Sequence, residues 1–104
     1  MTGSAGAVGG SDYVRLADGD NVVVLIRHVE AGEILAGADG RPWTMTRHLE
    51  AGNKLAATAI AAGDLVLKYD FPIGTATQAI EPGAHVHSHN LRSNYIPIES
   101  EART

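Results

Sequence analysis

A chain of 104 residues that is 44% hydrophobic and 19% charged fits one ordinary globular domain with a single modest core, and it is too short to enclose a large active site alone. Its formal net charge of −4, with eight Lys and Arg scattered along the sequence, excludes the clustered basic surface that nucleic-acid binding needs. Cysteine is absent, which removes disulfide and thiolate chemistry, and no apolar run approaches the ~20 residues of a membrane helix.

Residues 1–10 are Gly-, Ala- and Ser-rich, with neither a basic n-region nor a long apolar run, unlike a signal peptide. The expectation is a cytoplasmic protein without a membrane partner. It has a flexible segment over 1–12, one domain over 13–98 and a flexible tail over 99–104. Asp18-Gly19-Asp20-Asn21 is a turn signal, and residues 22–26 form a β-branched run that reads as a buried strand. Gly32, Gly37, Gly40 and Pro42 break the chain before a strand at 43–47. Residues 53–62 are the best helical candidate, but β-branched Thr58 and Ile60 interrupt them and Gly52 and Gly63 bound them, so at most a short helix is expected. A strand at 65–69, a turn at 70–74 and a strand at 75–80 follow. Glu81-Pro82-Gly83 is a turn, 84–90 a strand, and 95–98 a last strand that Pro97 confines to an edge or an end. Short strands separated by close Gly and Pro turns predict an all-β domain, a small barrel-like folded sheet.

The sequence repeats internally. Arg27-His28-Val29-Glu30-Ala31-Gly32 recurs twenty positions on as Arg47-His48-Leu49-Glu50-Ala51-Gly52, and the segment 59–66 recurs, again twenty on, as 79–86. Each copy is a Gly corner flanked by apolar residues that tuck into the core. His28 and His48 belong to this unit and are expected to be structural or surface residues.

His85-Val86-His87-Ser88-His89-Asn90 holds three of the five histidines. In a strand, His85, His87 and His89 project from one face and Ser88 from the other, which argues against a Ser–His nucleophilic pair. Imidazole ligates metals and transfers protons near neutral pH. Neighbours in such a row lie ~6.6 Å apart and the whole row covers ~13 Å. At Zn–N distances of about 2.1 Å, at most two of the three, His85 and His87 for instance, share one ion unless the strand bends sharply. The row contains no carboxylate, so further ligands would come from elsewhere.

Lys68-Tyr69, then Pro72-Ile73-Gly74 with Ala76-Thr77, then Ile80, Gly83 and the run 85–91 together resemble the small subunit, or N-terminal SAF domain, of the altronate/galactarate dehydratase family. Sulfolactate sulfo-lyases belong to the same group. The resemblance covers roughly residues 20–91 and implies a β-clip fold of the SAF type. It implies a hydro-lyase that eliminates water from altronate- or galactarate-like sugar acids, working with a large subunit. Elimination needs a base at the carbon α to the carboxylate and an acid or Lewis acid at the leaving group. His85, His87 and His89 are therefore expected to be catalytic, and Asn53, Lys54, Lys68 and Asn90 to bind substrate. A divalent metal such as Fe(II) is expected to be held mainly by the large subunit, with His85 and His87 as the ligands on this chain.

Two positions depart from the family pattern. The family usually has Gly-His-Lys where this chain has Gly52-Asn53-Lys54, and commonly Gly where it has Asp70. Either the chemistry is altered or Asn53 takes over as a hydrogen-bonding group. The alternative functions are a sulfolactate sulfo-lyase small subunit, a non-catalytic SAF module that binds substrate, and an oligomerisation domain; self-association is also compatible with the main reading.

Overall fold

The computed structural model describes residues 12–93. The strand expected at 95–98, the tail at 99–104 and all but the last residue of the segment 1–12 lie outside them. The described residues form nine strands and no helix: β1 (Tyr13–Val14), β2 (Val22–Leu25), β3 (Ile34–Ala36), β4 (Pro42–Thr44), β5 (Lys54–Ala56), β6 (Leu65–Lys68), β7 (Phe71–Ala76), β8 (His85–Val86) and β9 (Leu91–Ser93). They assemble into a four-stranded sheet of order β1-β2-β5-β8, a β3-β4 hairpin and a three-stranded sheet of order β6-β7-β9. All strand pairings are antiparallel. This is the all-β architecture expected of an SAF domain.

The four-stranded sheet is buried on both faces, which is why β2 reads as an unbroken apolar run rather than an alternating one. Val23 and Leu25 enter one core with Tyr13, Leu35, Trp43 and Leu55. Val22 enters a second core with Ala56, Val66, Ala76 and Val86. The aromatic anchor of the first core is Trp43. Its ring stacks on Tyr13 with centroids 5.4 Å apart, and its Nε1 donates to Asp39 Oδ1 at 3.1 Å.

The repeat is a structural unit. Val29 and Leu49 form an antiparallel bridge, and so do Ile60 and Ile80. The corner glycines Gly32, Gly52, Gly63 and Gly83 share φ values of 92, 95, 91 and 84°. In all four corners the residue after the glycine donates its amide back across the turn, as Glu33 to Glu30, Asn53 to Glu50, Asp64 to Ala61 and Ala84 to Glu81.

Several elements differ from expectation. The helical candidate at 53–62 is strand β5 followed by the Ile60 bridge, because β5 is held between β2 and β8 and tertiary pairing overrides a weak helical preference. The turn expected at 70–74 is only Tyr69-Asp70, and β7 runs through Pro72 and Gly74. Pro72 is tolerated because the β6–β7 register shifts between Val66 and Leu67. Strands β1, β3 and β9 carry too few residues for a sequence period to show.

The turn signal at 18–21 is a bracket for that hairpin. Asp20 is buried and accepts from the amides of Tyr69 at 2.8 Å and Asp70 at 2.6 Å. Asn21 donates to the Leu65 carbonyl at 2.9 Å and accepts from the Leu67 amide at 2.8 Å. Tyr69 and Asp70 both adopt positive φ, 59 and 61°, the left-handed region that glycine enters most freely.

Candidate functional site

Strand β8 is launched by the Gly83 corner and pairs with β5 through Leu55↔His85 and Lys54↔Val86. It ends after Val86, and residues 87–90 turn instead of continuing the expected strand. Asn90 closes this turn. Its Oδ1 accepts from the His87 amide at 3.0 Å, its Nδ2 donates to the His85 carbonyl at 2.9 Å, and its own amide donates to the His87 carbonyl. An asparagine side chain that satisfies backbone groups so locally competes with strand pairing and stops it.

The consequence is a histidine cluster where a flat row was expected. The His87 ring stacks on His85 at 5.4 Å between centroids with 21° between planes, and the His89 ring lies against His85 at 5.5 Å, tilted by 41°. Ser88, expected on the opposite face, places Oγ 3.2 Å from His87 Nδ1, again because the chain turns here. His85 Nε2 lies 2.8 Å from Asn53 Oδ1; with the amide oriented this way, the ring donates from Nε2. His85 Nδ1 is buried and has no hydrogen-bond partner, so it keeps an open lone pair.

His85 and His89 line an open cleft of about 460 Å³ whose other walls include Trp43, Thr44, Arg47 and Gln78. Lys54 and Lys68 lie elsewhere. Lys54 is paired with Val86 and so faces the side of the sheet away from His85. Burial, and then the neighbouring Lys68 charge, lower its pKa. Of the four residues expected to bind substrate, Asn53 alone touches the cluster through its side chain without also bracing the turn. Arg47 was not anticipated. The signal for it was in the repeat: Arg27 is tied by Glu33, and the residue twenty positions after Glu33 is Asn53. His28 and His48 meet across the Val29–Leu49 bridge, where His48 contacts Glu30 and Glu50, as surface residues of the repeated unit.

Residues 11–94 match the family described as the altronate/galactarate dehydratase SAF domain. The chain belongs to this family. The SAF domain is 34% identical over 87 residues to the altronate dehydratase of Bacillus subtilis (strain 168) and 38% identical over 87 residues to that of Escherichia coli (strain K12). In each case the match takes in 84% of this chain and only 17% of the relative. It is 34% identical over 94 residues to the (2R)-sulfolactate sulfo-lyase subunit alpha of Chromohalobacter salexigens, covering 79% of this chain and 94% of that subunit.

Among the described residues of the SAF domain no helix is long and apolar enough to cross a membrane. No set of three or more His, Cys, Asp or Glu among them is placed to hold a metal ion. The open lone pair of His85 Nδ1 is a single donor, and the stacked arrangement turns the His85 and His87 rings face to face. The donors among the described residues do not by themselves fit a divalent metal.

Burial first, and then the charges of His87, His89, Arg47 and Lys54, lower the His85 pKa from 6.5 to about 4. Between those values the unfolded chain binds the proton and the folded one does not. Stability from this group is therefore present above pH 6.5 and is lost as the pH falls toward 4. The ring is only half-buried, so screening holds the loss to about 1 kcal/mol rather than the full conversion of the shift. A ¹⁵N NMR titration is expected to show His85 neutral at pH 5.5, as the Nε2–H tautomer. A midpoint near 6.5 would mean that its burial is not realised in solution. His48 shifts the opposite way, raised by its hydrogen bonds to Glu50 and then Glu30. Its contribution is complete below pH 6.5 and disappears as the pH rises through the raised value.

Proposed function

We propose that this SAF domain is the small subunit of a cytoplasmic carbohydrate-acid dehydratase, a hydro-lyase that eliminates water from altronate- or galactarate-like acids together with a large subunit. The observation that carries this reading is the histidine cluster at the mouth of a cleft, in a chain whose relatives include altronate dehydratases. Dehydration removes a proton α to a carboxylate and delivers one to the departing hydroxide. His87 and His89 are exposed rings that rest on a common neighbour. His89 lines the cleft and His87 stands beside it, stacked on His85, and these two carry the proton transfers with the substrate. His85 lines the cleft as well; kept neutral and held by Asn53, it sets where they stand. The donors among the described residues being too few, a divalent metal such as Fe(II) belongs mainly to the large subunit, where it would supply Lewis acidity.

A second reading is favoured by length. The match covers 94% of a sulfo-lyase subunit alpha, so the same cluster can serve elimination of sulfite in place of water. That relative is itself a subunit alpha, which also favours a partner chain.

The test is an assay of this chain, the cognate large subunit and their mixture. Each is supplied with D-altronate, galactarate and (2R)-sulfolactate, with and without added Fe(II). Turnover is expected only from the mixture, and the preferred acid separates the two readings. Full activity of the large subunit alone would remove the reading. In the mixture, His87→Ala is expected to lower turnover by about 10²-fold or more, the usual contribution of a positioned acid or base. The melting temperature should stay put, because His87 is exposed.

A further inference from the structure

The two copies of the Arg-His-apolar-Glu-Ala-Gly unit place their arginines in equivalent backbone positions, yet the arginines have different surroundings. Arg27 is committed. Its guanidinium meets Glu33 Oε1 at 2.9 Å and Asp12 Oδ1 at 3.0 Å. In the second copy the position equivalent to Glu33 is Asn53, and its side chain turns to the Glu50 carbonyl and to His85. Arg47 thus has no ion-pair partner among the described residues. It lines the cleft with His85, His89, Thr44 and Thr46.

We propose that Arg47 is the carboxylate anchor of this cleft, binding the carboxylate of a polyhydroxy acid beside the histidine cluster. Three features converge on a carboxylate. A guanidinium presents a planar fork of donors that matches its two oxygens. Arg27 displays that pairing in the same structural unit, so the backbone corner is compatible with it. The exchange of Glu33 for Asn53 takes away the internal anion and leaves an external one to replace it. Thr44 and Thr46 offer hydroxyls along the same wall, suited to the hydroxyls of a polyol chain. Glu81 also lines the cleft, but it makes no ion pair with Arg47 and so leaves the guanidinium open to an external anion. The identity of the acid rests on the dehydratase reading; the anchor itself rests on the contrast between Arg27 and Arg47.

The test is NMR titration of the full chain with D-altronate and, separately, with D-altritol, which has the hydroxyls without the carboxylate. D-Altronate is expected to shift the Arg47 Nε–Hε resonance and the amides around residues 44–49 and 85–90 saturably. D-Altritol is expected to leave them in place. Arg47→Gln should weaken D-altronate at least tenfold, and Arg47→Lys, which keeps the charge and loses the fork, should fall between. Arg47 is exposed, so neither variant threatens the fold. In the mixture with the large subunit, Arg47→Gln should raise KM for D-altronate at least tenfold with a smaller change in kcat. Equal affinity of wild type and Arg47→Gln, equal binding of D-altritol, absence of saturable binding, or shifts centred on Lys54 and Lys68 would each overturn the proposal. A mixture without turnover on any acid removes the dehydratase reading, while the comparison of D-altronate with D-altritol still decides the anchor.

Discussion

Replacing Gly83 by alanine is expected to destabilise the domain by about 4 kcal/mol, the sum of a left-handed backbone penalty and an overpacking penalty. Gly83 has φ +84°, and a Cβ built on it falls 2.5 Å from Trp43 Cγ and 2.8 Å from Trp43 Cβ. The indole has nowhere to go, since it stacks on Tyr13 and its Nε1 is bonded to Asp39. Gly52 occupies the equivalent corner of another copy, with φ +95° and nothing within 4 Å of its Cβ position. Gly52→Ala should therefore cost only the backbone part, about 1–2 kcal/mol. The difference between the two variants in urea denaturation isolates the Trp43 contact. Equal losses would show that Trp43 yields. Because Gly83 stands two residues before His85, its replacement should also disturb the histidine cluster. Gly52→Ala serves as the control, although it adjoins Asn53.

Replacing Asp20 by alanine is expected to cost about 3 kcal/mol, from the loss of hydrogen bonds to a buried carboxylate and the donors left without it. Asp20 is 4% exposed and accepts from the Ala17 amide as well as from those of Tyr69 and Asp70. The last two residues sit at positive φ, a conformation that costs of order 1 kcal/mol or more each for residues other than Gly and persists only when the surroundings impose it. Removing Asp20 takes away that constraint. Asp20→Asn keeps one acceptor oxygen and should lose about half as much. Hydrogen exchange should accelerate selectively at the Tyr69 and Asp70 amides. Unchanged protection there would mean that the β6–β7 hairpin holds its turn unaided. Asp70→Gly in the Asp20→Ala background should restore part of the stability, because glycine adopts positive φ freely.

The residues alone determined the class and the punctuation of this fold. The run at 22–26, the Gly and Pro breaks, and the twenty-residue repeat are local properties, and local properties survive into the structure as strand β2 and four equivalent corners. The family was legible for a similar reason, since its motifs are contiguous stretches around 68–77 and 80–91. The short strands β1, β3 and β9 were not legible. With two or three residues each they have no period: β1 and β9 exist because the longer β2 and β7 offer them a hydrogen-bonding edge, and β3 because it pairs with the equally short β4. The segment 53–62 carries weak helical character that the β2–β5–β8 pairing overrides.

The histidines show the division most clearly. Strand alternation put three rings on one face, and the structure brings the same three together by another route. Asn90 hydrogen-bonds within its own turn, ends β8 after Val86, and folds His87 and His89 back onto His85. The pairing of His85 with Asn53, the separation of Lys54 and Lys68 from the cluster, and the freedom of Arg47 beside the cleft depend on contacts across tens of residues. Sequence spacing cannot encode these directly, because they are set by sheet register and by which side chain happens to face which. The histidine cluster and the Gly corner beneath it were written in the chain; the cleft was made by bringing residues 43–49 up against the Gly83 corner and the histidine turn.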